Sequence, residues 1–478
     1  MASYDYDIGI VGGGAAGLTV ASGAAQLGAR TLLIEQEELL GGDCLHFGCV
    51  PSKTLIKSAT MYHQLSRLEE FGLPAVDRPA IDFSSVAKRI SRVISTIQHH
   101  DSVERFSDLG VQVKFGKPRF LDDHQILLDG VKISSKKWVI ASGSSPSLPP
   151  LPGLSDIDLL TNRELFSLKK LPESLIVIGA GPIGMEMAQA FNRLGSQVTV
   201  LQRSPQILSK EDKDLADTLQ GIVELEGVQF YLGCSMIKAF EANGVKKVEI
   251  TTADNEELVI SGSDILVATG RQANVEDLGL EQAGISFSLK GIEVDRRLRT
   301  STKHIFAAGD VIGGYQFTHA AGYEGGIVVS NGVLGIPRKT NYRWLPQCTY
   351  CDPELGGIGL GEKQAIGDGI SYDLYEESFM DNDRAQAEGE TSGKIKLLLD
   401  TKGKPLGMRI LGNHAGELLS EWVAILNGGV KLSTIAGGVH PYPTVSEINK
   451  RVVGSVFSKK IFSDKVRKLL KMIYRYRG

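Results

Sequence analysis

The stretch from residue 41 to residue 53 reads Gly41-Gly42-Asp43-Cys44-Leu45-His46-Phe47-Gly48-Cys49-Val50-Pro51-Ser52-Lys53. Two cysteines, Cys44 and Cys49, stand five positions apart at the start of an apolar helical pattern. Near a helix start this spacing can bring two Cα atoms within the roughly 5–6 Å that a disulfide needs, and the helix N-terminus and a nearby lysine stabilise a thiolate. The alternatives are a structural disulfide, two buried thiols, or a zinc site, which would need ligands beyond His46. The pattern favours a redox-active disulfide.

The composition is that of an ordinary globular protein. The chain has 478 residues, of which 42% are apolar and 23% charged, and this length suits about three domains. A net charge of −4 argues against a general nucleic-acid-binding protein. Five cysteines, an odd number, fit a reducing compartment, and the apolar runs are too short to span a membrane. Since no leader peptide is visible before the first predicted strand, we expect a cytoplasmic protein.

A glycine-rich pattern near the N-terminus predicts a dinucleotide site. Residues 8–18 indicate a buried strand that turns into a helix through Gly12, Gly14 and Gly17. In this G-x-G-x-x-G pattern the first glycine allows the tight turn, the second lets a pyrophosphate approach the backbone, and the third lets helix and strand pack closely. The next predicted strand ends at Glu35, where a carboxylate would bind a ribose hydroxyl.

The same design recurs after a later predicted strand, which implies a second dinucleotide. Its glycines are Gly179, Gly181 and Gly184. The strand that follows ends at Gln202 and Arg203 instead of the acid that NAD-specific sites usually carry. A cation there suits a 2′-phosphate and predicts NADPH over NADH; the alternative is a solvated loop arginine.

The chain resembles the flavoprotein disulfide reductases, which include dihydrolipoamide dehydrogenase, glutathione reductase and mercuric reductase. The resemblance rests on Gly-Gly-Asp-Cys-x4-Cys-Val-Pro-Ser-Lys and on motifs that recur in order along essentially the whole chain. It implies an α/β fold of two Rossmann-like dinucleotide-binding domains plus a C-terminal α+β dimerisation domain, in a homodimer. The expected parts are the first FAD-binding part at 1–150, an NAD(P)-binding domain at 151–270, a second FAD-binding or central part at 271–342, and the dimerisation domain at 343–478.

The resemblance also implies roles for single residues. Cys49 would be the thiolate that faces the flavin, and Cys44 the outer thiol that meets the substrate. Lys53 matches a lysine beside the flavin, whose glutamate partner is Glu186 here. Asp310 would bind a ribitol hydroxyl of FAD, and a nicotinamide dinucleotide would occupy the second glycine-rich turn. The other positions implied at the FAD and nicotinamide sites are Gly42, Gly143, Gly270, Gly309 and His319.

A C-terminal motif bears on the electron acceptor. Thiol-acting members of the family carry His-Pro-Thr followed by a glutamate, and the histidine acts as general acid and base. Here residues 440–447 read His-Pro-Tyr-Pro-Thr-Val-Ser-Glu, which places Tyr442 in the catalytic position and Glu447 after it. A tyrosine of ordinary pKa is a poor base at neutral pH. The alternative is that His440 replaces the base through a local shift.

The acceptor predicted from this motif needs electrons more than protons. Mercuric reductase also has tyrosine at this position, but it carries a vicinal cysteine pair near its C-terminus, and the last cysteine here is Cys351. We therefore expect a metal ion, a quinone or an unusual disulfide as the small-molecule acceptor. A dihydrolipoamide dehydrogenase-like activity, an electron-transfer subunit for a carrier protein, direct reduction of quinones or oxygen at the flavin, and a redox-sensing role stay open.

Three further patterns complete the sequence predictions. Amphipathic helices are expected at about 52–70 and 83–109. Cys348 and Cys351 form C-x-x-C without nearby partners, so we expect two structural thiols and no metal site. Residues 459–478 hold eight Lys or Arg against one Asp, with an apolar stripe. This tail is expected to lie on an anionic membrane surface or to pack on its own dimer.

Overall fold

A computed structural model describes residues 3–477, without the side chains of residues 459, 460 and 477. A five-stranded parallel sheet, the first nucleotide sheet, is built from separate parts of the chain. From edge to edge its strands are Ile305–Ala307, Trp138–Ile140, Ile8–Val11, Thr31–Glu35 and Val111–Phe115. The three middle strands are buried along their whole length, as parallel strands covered on both faces require. The strand Ile305–Ala307 shows that the chain returns to this sheet late.

The helices around the first nucleotide sheet differ in part from the sequence prediction. They are Ala15–Gln26, Gly42–His46, Cys49–Gln64, Phe83–Gln98, Val103–Asp108 and Thr318–Val328. The helix predicted at 52–70 spans Cys49–Gln64, so it begins three residues earlier and ends six residues earlier than predicted. The single helix predicted at 83–109 is wrong, because Ser102 is extended and its hydroxyl accepts a hydrogen bond from the main-chain N–H of Arg105. This cap starts a new helix after the break.

Small antiparallel sheets flank the first nucleotide sheet. A three-stranded meander confirms the predicted hairpins between residues 111 and 142; its strands are Arg119–Phe120, Gln125–Leu128 and Val131–Ser134. The strand Ser144–Pro146 pairs with Arg271–Ala273, which brings together the two segments that lead to and from the second nucleotide domain. A further ribbon joins Phe287–Ser288 to Gly291–Ile292.

The second nucleotide sheet has four parallel strands. They are, in order, Gln229–Leu232, Gln197–Gln202, Ser174–Ile178 and Asp264–Val267. The accompanying elements are the helices Asn162–Leu165, Pro182–Leu194 and Lys213–Leu225 and the antiparallel strands Ser235–Ala242, Val245–Thr251 and Glu257–Gly262. Two parallel sheets with glycine-rich turns confirm the predicted pair of Rossmann-like domains. The boundaries at 150, 270 and 342 stay predictions.

The C-terminal domain combines an antiparallel sheet with helices, which confirms the predicted α+β domain. The strands, in order, are Pro346–Thr349, Glu354–Gly359, Pro405–Gly412, Lys394–Leu399 and Asp373–Ser378. The helices are Glu362–Gly367, Asp383–Glu388, Ala415–Gly428, Leu432–Gly437, Glu447–Ile461 and Asp464–Arg477. Trp422 is fully buried in this core and donates from Nε1 to Oδ1 of Asn449 at 2.8 Å. None of the helices in the described residues is long and apolar enough to cross a membrane.

A buried ion-pair cluster joins the second nucleotide domain to the C-terminal domain. The side chain of Lys396 is fully buried, and its Nζ lies 2.6 Å from Glu362, 2.9 Å from Asp214 and 3.2 Å from Asp212. Removing one partner from such a cluster leaves charges buried without compensation, which costs several kcal/mol. The cluster therefore fixes the position of the C-terminal domain relative to the second nucleotide domain.

Candidate redox site

The first nucleotide turn is shaped by the close approach of two glycines. Gly12 has a φ of +107°, which glycine adopts without strain. A Cβ on Gly17 would lie 1.9 Å from the carbonyl oxygen of Gly12, so the helix can start this close to the strand only with glycine there. A Cβ on Gly14 would meet only the Cα of Gly42, at 3.8 Å. The protein thus leaves space beside Gly14 at a helix N-terminus, which fits a bound pyrophosphate.

Glu35 places a carboxylate at the mouth of this turn. Its Oε2 accepts a hydrogen bond from the N–H of Gly13 at 2.6 Å, and its Oε1 accepts from the N–H groups of Gln36 and Glu37 at 2.6 and 2.9 Å. The main chain therefore holds Glu35 where the predicted contact to a ribose hydroxyl needs it.

The second nucleotide turn repeats this geometry. Gly179 has a φ of +108°, and a Cβ on Gly184 would lie 1.9 Å from the carbonyl oxygen of Gly179. Gly181 has no atom within 4 Å of its would-be Cβ. Gln202 accepts from the N–H of Ala180 at 3.4 Å, whereas Arg203 is exposed, lines the cleft and has no ion-pair partner among residues 3–477. An uncompensated cation thus stands at the end of the strand.

The two active-site cysteines lie on consecutive helices. Cys44 belongs to Gly42–His46, and Cys49 is the first residue of Cys49–Gln64; both are free thiols. A hydrogen bond from the Cys44 thiol, with smaller contributions from Thr318 and Lys53, lowers the pKa of Cys49 to about 6. The same interaction raises the pKa of Cys44. These opposite shifts favour one shared proton on the pair, with the thiolate on Cys49 and the thiol on Cys44.

Lys53 and Glu186 meet beside this thiolate. Nζ of Lys53 lies 2.6 Å from Oε2 of Glu186, which is buried, and 4.5 Å from the centre of the Tyr350 ring. Oε1 of Glu186 accepts from the N–H of Tyr350 at 2.9 Å. The structure thus brings together the lysine and glutamate that the sequence paired, and adds Tyr350 of the C-terminal domain to them.

A polar chain surrounds Asp310 at the end of the strand Ile305–Ala307. Ser144 donates to Oδ2 of Asp310 at 2.6 Å, and Arg271 lies 3.8 Å from Asp310 and 3.1 Å from Asp43. Burial raises the pKa of Asp310 despite these contacts. The carboxylate therefore accepts a hydrogen bond from Ser144 and lines the cleft. Its contact to a ribitol hydroxyl stays a prediction.

His319 lies in the first turn of the helix Thr318–Val328. It donates from Nε2 to the carbonyl oxygen of Pro346 at 2.9 Å, and its ring stacks on Phe317 with 5.3 Å between ring centres. Gly309 donates to the buried carboxylate of Glu324 at 2.6 Å. The helix thus presents its N-terminus to the cleft, where a partial positive charge suits an electron-rich ring edge.

All of these groups open into one cleft with a volume of about 1630 Å³. The predicted positions among its lining residues are Gly12, Gly14, Glu35, Gly42, Cys44, Cys49, Lys53, Gly143, Gly179, Gly181, Glu186, Gln202, Arg203, Gly270, Gly309, Asp310 and His319. Neither Gly143 nor Gly270 has an atom within 4 Å of its would-be Cβ. The cleft runs from one glycine-rich turn to the other, and the main chain at Gly143 and Gly270 is accessible. This space fits one dinucleotide at each turn.

Tyr442 and Glu447 lie away from this cleft within the protomer. The ring of Tyr442 is 70% exposed, and its hydroxyl donates to Oδ2 of Asp383 at 2.9 Å. His440 instead pairs with Glu421 through Nε2 at 3.0 Å. A single chain therefore does not bring Tyr442, Glu447 or His440 to the cysteines, and the roles predicted for the first two depend on a second subunit.

Some residues of the site were not singled out in the sequence. Thr318 places its hydroxyl 3.5 Å from the sulfur of Cys49. Asn162 donates to Asp43 and to the carbonyl oxygen of Phe47, which fastens the cysteine loop to the second nucleotide domain. Thr318 could have been predicted as a site residue, because it directly precedes His319. Asn162 could not, because it lies in no motif.

Cys348 and Cys351 are shielded in different ways. Cys351 is fully buried, and burial raises the pKa of its thiol. Cys348 lines the cleft near Glu354, and burial together with that carboxylate raises its pKa as well. The raised pKa values favour the thiol form of both residues, and their expected structural role stays a prediction.

The comparison with known proteins covers almost the whole chain. The family model described as pyridine nucleotide-disulphide oxidoreductase matches residues 6–325, and that of its dimerisation domain matches residues 345–453. A mercuric reductase of Lysinibacillus sphaericus is 33% identical over 96% of this chain and 84% of the relative. A dihydrolipoyl dehydrogenase of Bacillus subtilis is also 33% identical, over 92% of this chain and 96% of the relative.

Solved structures resemble the chain over the same length. The HOCl-induced flavoprotein disulfide reductase RclA of Escherichia coli superposes with a TM-score of 0.84 at 28% identity, covering 94% of this chain and 99% of RclA. Its Cu(II) complex gives a TM-score of 0.84 at 27% identity, over 95% and 100% of the two chains. With the family models and these relatives, the chain belongs to the pyridine nucleotide-disulphide oxidoreductases, a family of flavin-dependent oxidoreductases with a dimerisation domain.

Proposed function

We propose that this protein is an FAD-dependent NAD(P)H oxidoreductase that passes electrons through the Cys44–Cys49 pair to a small acceptor. The observation that carries the proposal is geometric: Cys44 and Cys49 lie on consecutive helices in the cleft that both glycine-rich turns share, with the Thr318 hydroxyl 3.5 Å from the sulfur of Cys49. The lowered pKa of Cys49 beside the Cys44 thiol agrees with this arrangement. Bound FAD supplies two-electron transfer between the reduced nicotinamide and the disulfide. Two electrons and one proton break the S–S bond, leaving Cys44 as thiol and Cys49 as thiolate.

The acceptor that fits best is a metal ion, with quinones and unusual disulfides as the other classes. Thiol–disulfide exchange needs a proton carrier, and the hydrogen bond to Asp383 raises the pKa of Tyr442, so even less of it is deprotonated and able to accept a proton at neutral pH. Two Cu(II) ions can each take one electron and become Cu(I), so that the thiol–thiolate pair becomes a disulfide and the one proton of Cys44 leaves to solvent. The RclA structure in complex with Cu(II) supports this choice of first acceptor.

The nicotinamide cofactor and the dimer belong to the same proposal. Arg203 supports NADPH, because its guanidinium is free to receive a 2′-phosphate. The dimerisation domain supports a homodimer in which Tyr442 and Glu447 of one subunit face Cys44 of the other. The odd number of cysteines supports a reducing, cytoplasmic environment.

The C-terminal helix Asp464–Arg477 supports contact with an anionic membrane surface. Its apolar side chains, among them Leu469, Leu470 and Ile473, are exposed in the protomer, and its basic residues include Lys468 and Lys471. Such an amphipathic helix binds at the lipid interface. Co-sedimentation with anionic and with neutral vesicles tests this part: binding to anionic vesicles that is lost in Lys468→Glu/Lys471→Glu supports the membrane, and no binding supports packing on the dimer.

The decisive experiment is an anaerobic acceptor screen with the NADPH-reduced holoenzyme. Reoxidation is followed after mixing with Cu(II), Hg(II), quinones, lipoamide and glutathione disulfide. We expect rapid reoxidation by Cu(II) in wild type, unchanged rates in Cys234→Ser, whose cysteine is buried outside the cleft, and a large loss in Cys44→Ser/Cys49→Ser. Equal rates in the double variant would assign electron transfer to the flavin directly and overturn the role of the cysteines.

A dihydrolipoamide dehydrogenase-like activity is the second candidate. The observation in its favour is the 33% identity to a dihydrolipoyl dehydrogenase over nearly its full length. Fast reoxidation by lipoamide in the same screen would select it.

A further inference from the structure

A second cluster of metal-binding side chains lies outside the redox cleft. Asp123 and His124 form the turn that leads into the strand Gln125–Leu128, and His304 directly precedes the strand Ile305–Ala307. One ligand atom from each of these three residues lies within 4.8 Å of the others. The two imidazole rings stack with 4.2 Å between their centres and 14° between their planes. None of the three residues lines the cleft.

Hydrogen bonds orient His124 as a ligand. Its Nδ1 lies 2.9 Å from the carbonyl oxygen of Ser135. A carbonyl only accepts, so Nδ1 carries the proton and Nε2 keeps its lone pair. Metal-binding histidines in proteins are held in this way, with the other ring nitrogen donating to a carbonyl or carboxylate.

Asp123 and its neighbour Asp122 have different surroundings. The carboxylate of Asp122 accepts from the N–H groups of His124 and Gln125 and from the side-chain amide of Gln125, which fixes the turn. The carboxylate of Asp123 lies near the two imidazoles of the cluster, with Nε2 of His304 3.6 Å from Oδ2, and it accepts no hydrogen bond within the part of the chain that the structure describes. Nε2 of His304 also donates to the main-chain oxygen of Asp123 at 3.0 Å. The turn thus holds one carboxylate in place and leaves the other available.

We propose that Asp123, His124 and His304 bind one divalent transition-metal ion of the zinc, copper or nickel class. Two imidazole nitrogens and one carboxylate oxygen are the donor set these ions prefer, with water in the remaining positions. Bonds of about 2.0–2.2 Å would bring the donor atoms closer together than they are now. All three side chains are only partly buried, and binding through Nε2 of His304 would replace its hydrogen bond to the main-chain oxygen of Asp123.

The position of the site predicts a structural effect. The ion would link the meander that contains Gln125–Leu128 to the edge strand of the first nucleotide sheet. The ring of Tyr4 packs on His124 with 4.7 Å between the ring centres, so the N-terminal segment would be held as well. Since the residues lie outside the cleft, the site is independent of the proposed reaction.

The test uses the oxidised holoenzyme, in which the disulfide keeps the cysteine pair from binding metal, after removal of metal by a chelator. Zn²⁺ titration by calorimetry should give one site per protomer, and Zn²⁺ should raise the melting temperature. His124→Ala and Asp123→Asn should each weaken binding at least tenfold and abolish the melting shift. The matched control is His99→Ala, which removes a histidine outside the cluster.

A spectroscopic readout separates this site from the thiols. Co²⁺ bound to the site should show d–d bands without a thiolate charge-transfer band, and His304→Ala should remove them. Zn²⁺ affinity that is equal in wild type and all three cluster variants, no Zn²⁺ binding by wild type, or a Co²⁺ spectrum dominated by thiolate bands would each overturn the proposal. Retained FAD in each variant shows that it has folded, and Asp123→Asn, which preserves side-chain size, carries the test if a histidine variant does not fold.

Discussion

Nζ of Lys53 lies 2.6 Å from Oε2 of Glu186, although 133 positions separate the two residues in sequence. The contact joins the helix that begins at Cys49 to the helix Pro182–Leu194 of the second nucleotide domain. Because Glu186 also accepts from the N–H of Tyr350, one carboxylate connects three parts of the chain. The ammonium is thereby held beside the thiolate that it stabilises.

The charge of Lys53 should add to the effect of the Cys44 thiol in extending the pH range in which Cys49 is a thiolate. The pKa of Cys49 is lowered to about 6, so the thiolate is present above that pH and is lost by protonation below it. Lys53→Met should raise the midpoint by about one pH unit, because an opposite charge nearby favours the ionised form. The measurement is the pH dependence of iodoacetamide alkylation of Cys49 in Cys44→Ser and in Cys44→Ser/Lys53→Met.

Lys57→Met provides the matched control for this prediction. Lys57 lies on the same helix and is exposed. Its removal should leave the midpoint unchanged; a shift as large as that of Lys53→Met would mean that the local contact is not the cause.

The two cysteines should differ in their optical effect on the bound flavin. Two-electron reduction of the wild type should give a long-wavelength charge-transfer band, because the Cys49 thiolate can donate to the oxidised ring. Cys49→Ser should abolish this band. Cys44→Ser should show it without reductant, because the remaining Cys49 cannot form the disulfide. An anaerobic titration followed by absorption spectroscopy checks this, and absence of the band in wild type contradicts the assignment of Cys49.

The Lys396 cluster should matter far more for stability than an exposed ion pair. Lys396→Met leaves the buried Asp212 and the partly buried Glu362 without their cation, whereas Asp214 is exposed and keeps Lys394. It should lower the free energy of unfolding by about 3–5 kcal/mol. Lys213→Met removes an exposed pair with Asp217 and should cost less than about 1 kcal/mol. Chemical denaturation of the two variants measures the difference; equal losses would show that burial does not decide it.

The end of the strand Gln197–Gln202 should select the nicotinamide cofactor. Arg203→Ala should raise the KM for NADPH and leave that for NADH nearly unchanged, because only NADPH carries the 2′-phosphate. Gln202→Glu should lower the KM for NADH, since it restores the acid that accepts from a ribose hydroxyl. Steady-state kinetics with both cofactors tests this. A strong preference of wild type for NADH, or equal effects of Arg203→Ala on the two cofactors, would refute it.

Sequence reasoning was most successful where a motif determines its own local structure. The turns at Gly12 and Gly179 could be predicted because the glycines, the flanking strands and the helix starts lie within a few residues of one another. The break at Ser102 was missed because a single hydroxyl, which caps the start of the helix Val103–Asp108, separates two helical segments. Local sequence patterns therefore predicted the presence of helices and strands more reliably than their first and last residues.

Long-range partners were beyond the sequence. Nothing near Lys396 indicates that Asp212, Asp214 and Glu362 would surround it, since these contacts depend on how two domains dock. The approach of His124 to His304 likewise requires the meander to lie against an edge strand. Lys53 and Glu186 were paired correctly only because a family resemblance supplied what spacing could not.

Tyr442 should be the residue that limits turnover of disulfide substrates. Its pKa is raised by the hydrogen bond to Asp383, so it cannot serve as a base near neutrality. Tyr442→His introduces a side chain with a pKa near 6.5 and should increase turnover of lipoamide or glutathione disulfide at least tenfold, a modest part of the about 10²–10⁴ that general acid–base catalysis supplies.

His440 provides the internal check on that prediction. It is engaged with Glu421 at 3.0 Å, so His440→Ala should leave the turnover of both disulfides unchanged in wild type and in Tyr442→His. Steady-state assays of the four proteins separate the two residues. Wild-type turnover of either disulfide at about 10 per second or more, abolished by His440→Ala, would show that this histidine replaces the base, because a rate typical of enzymes would then depend on it.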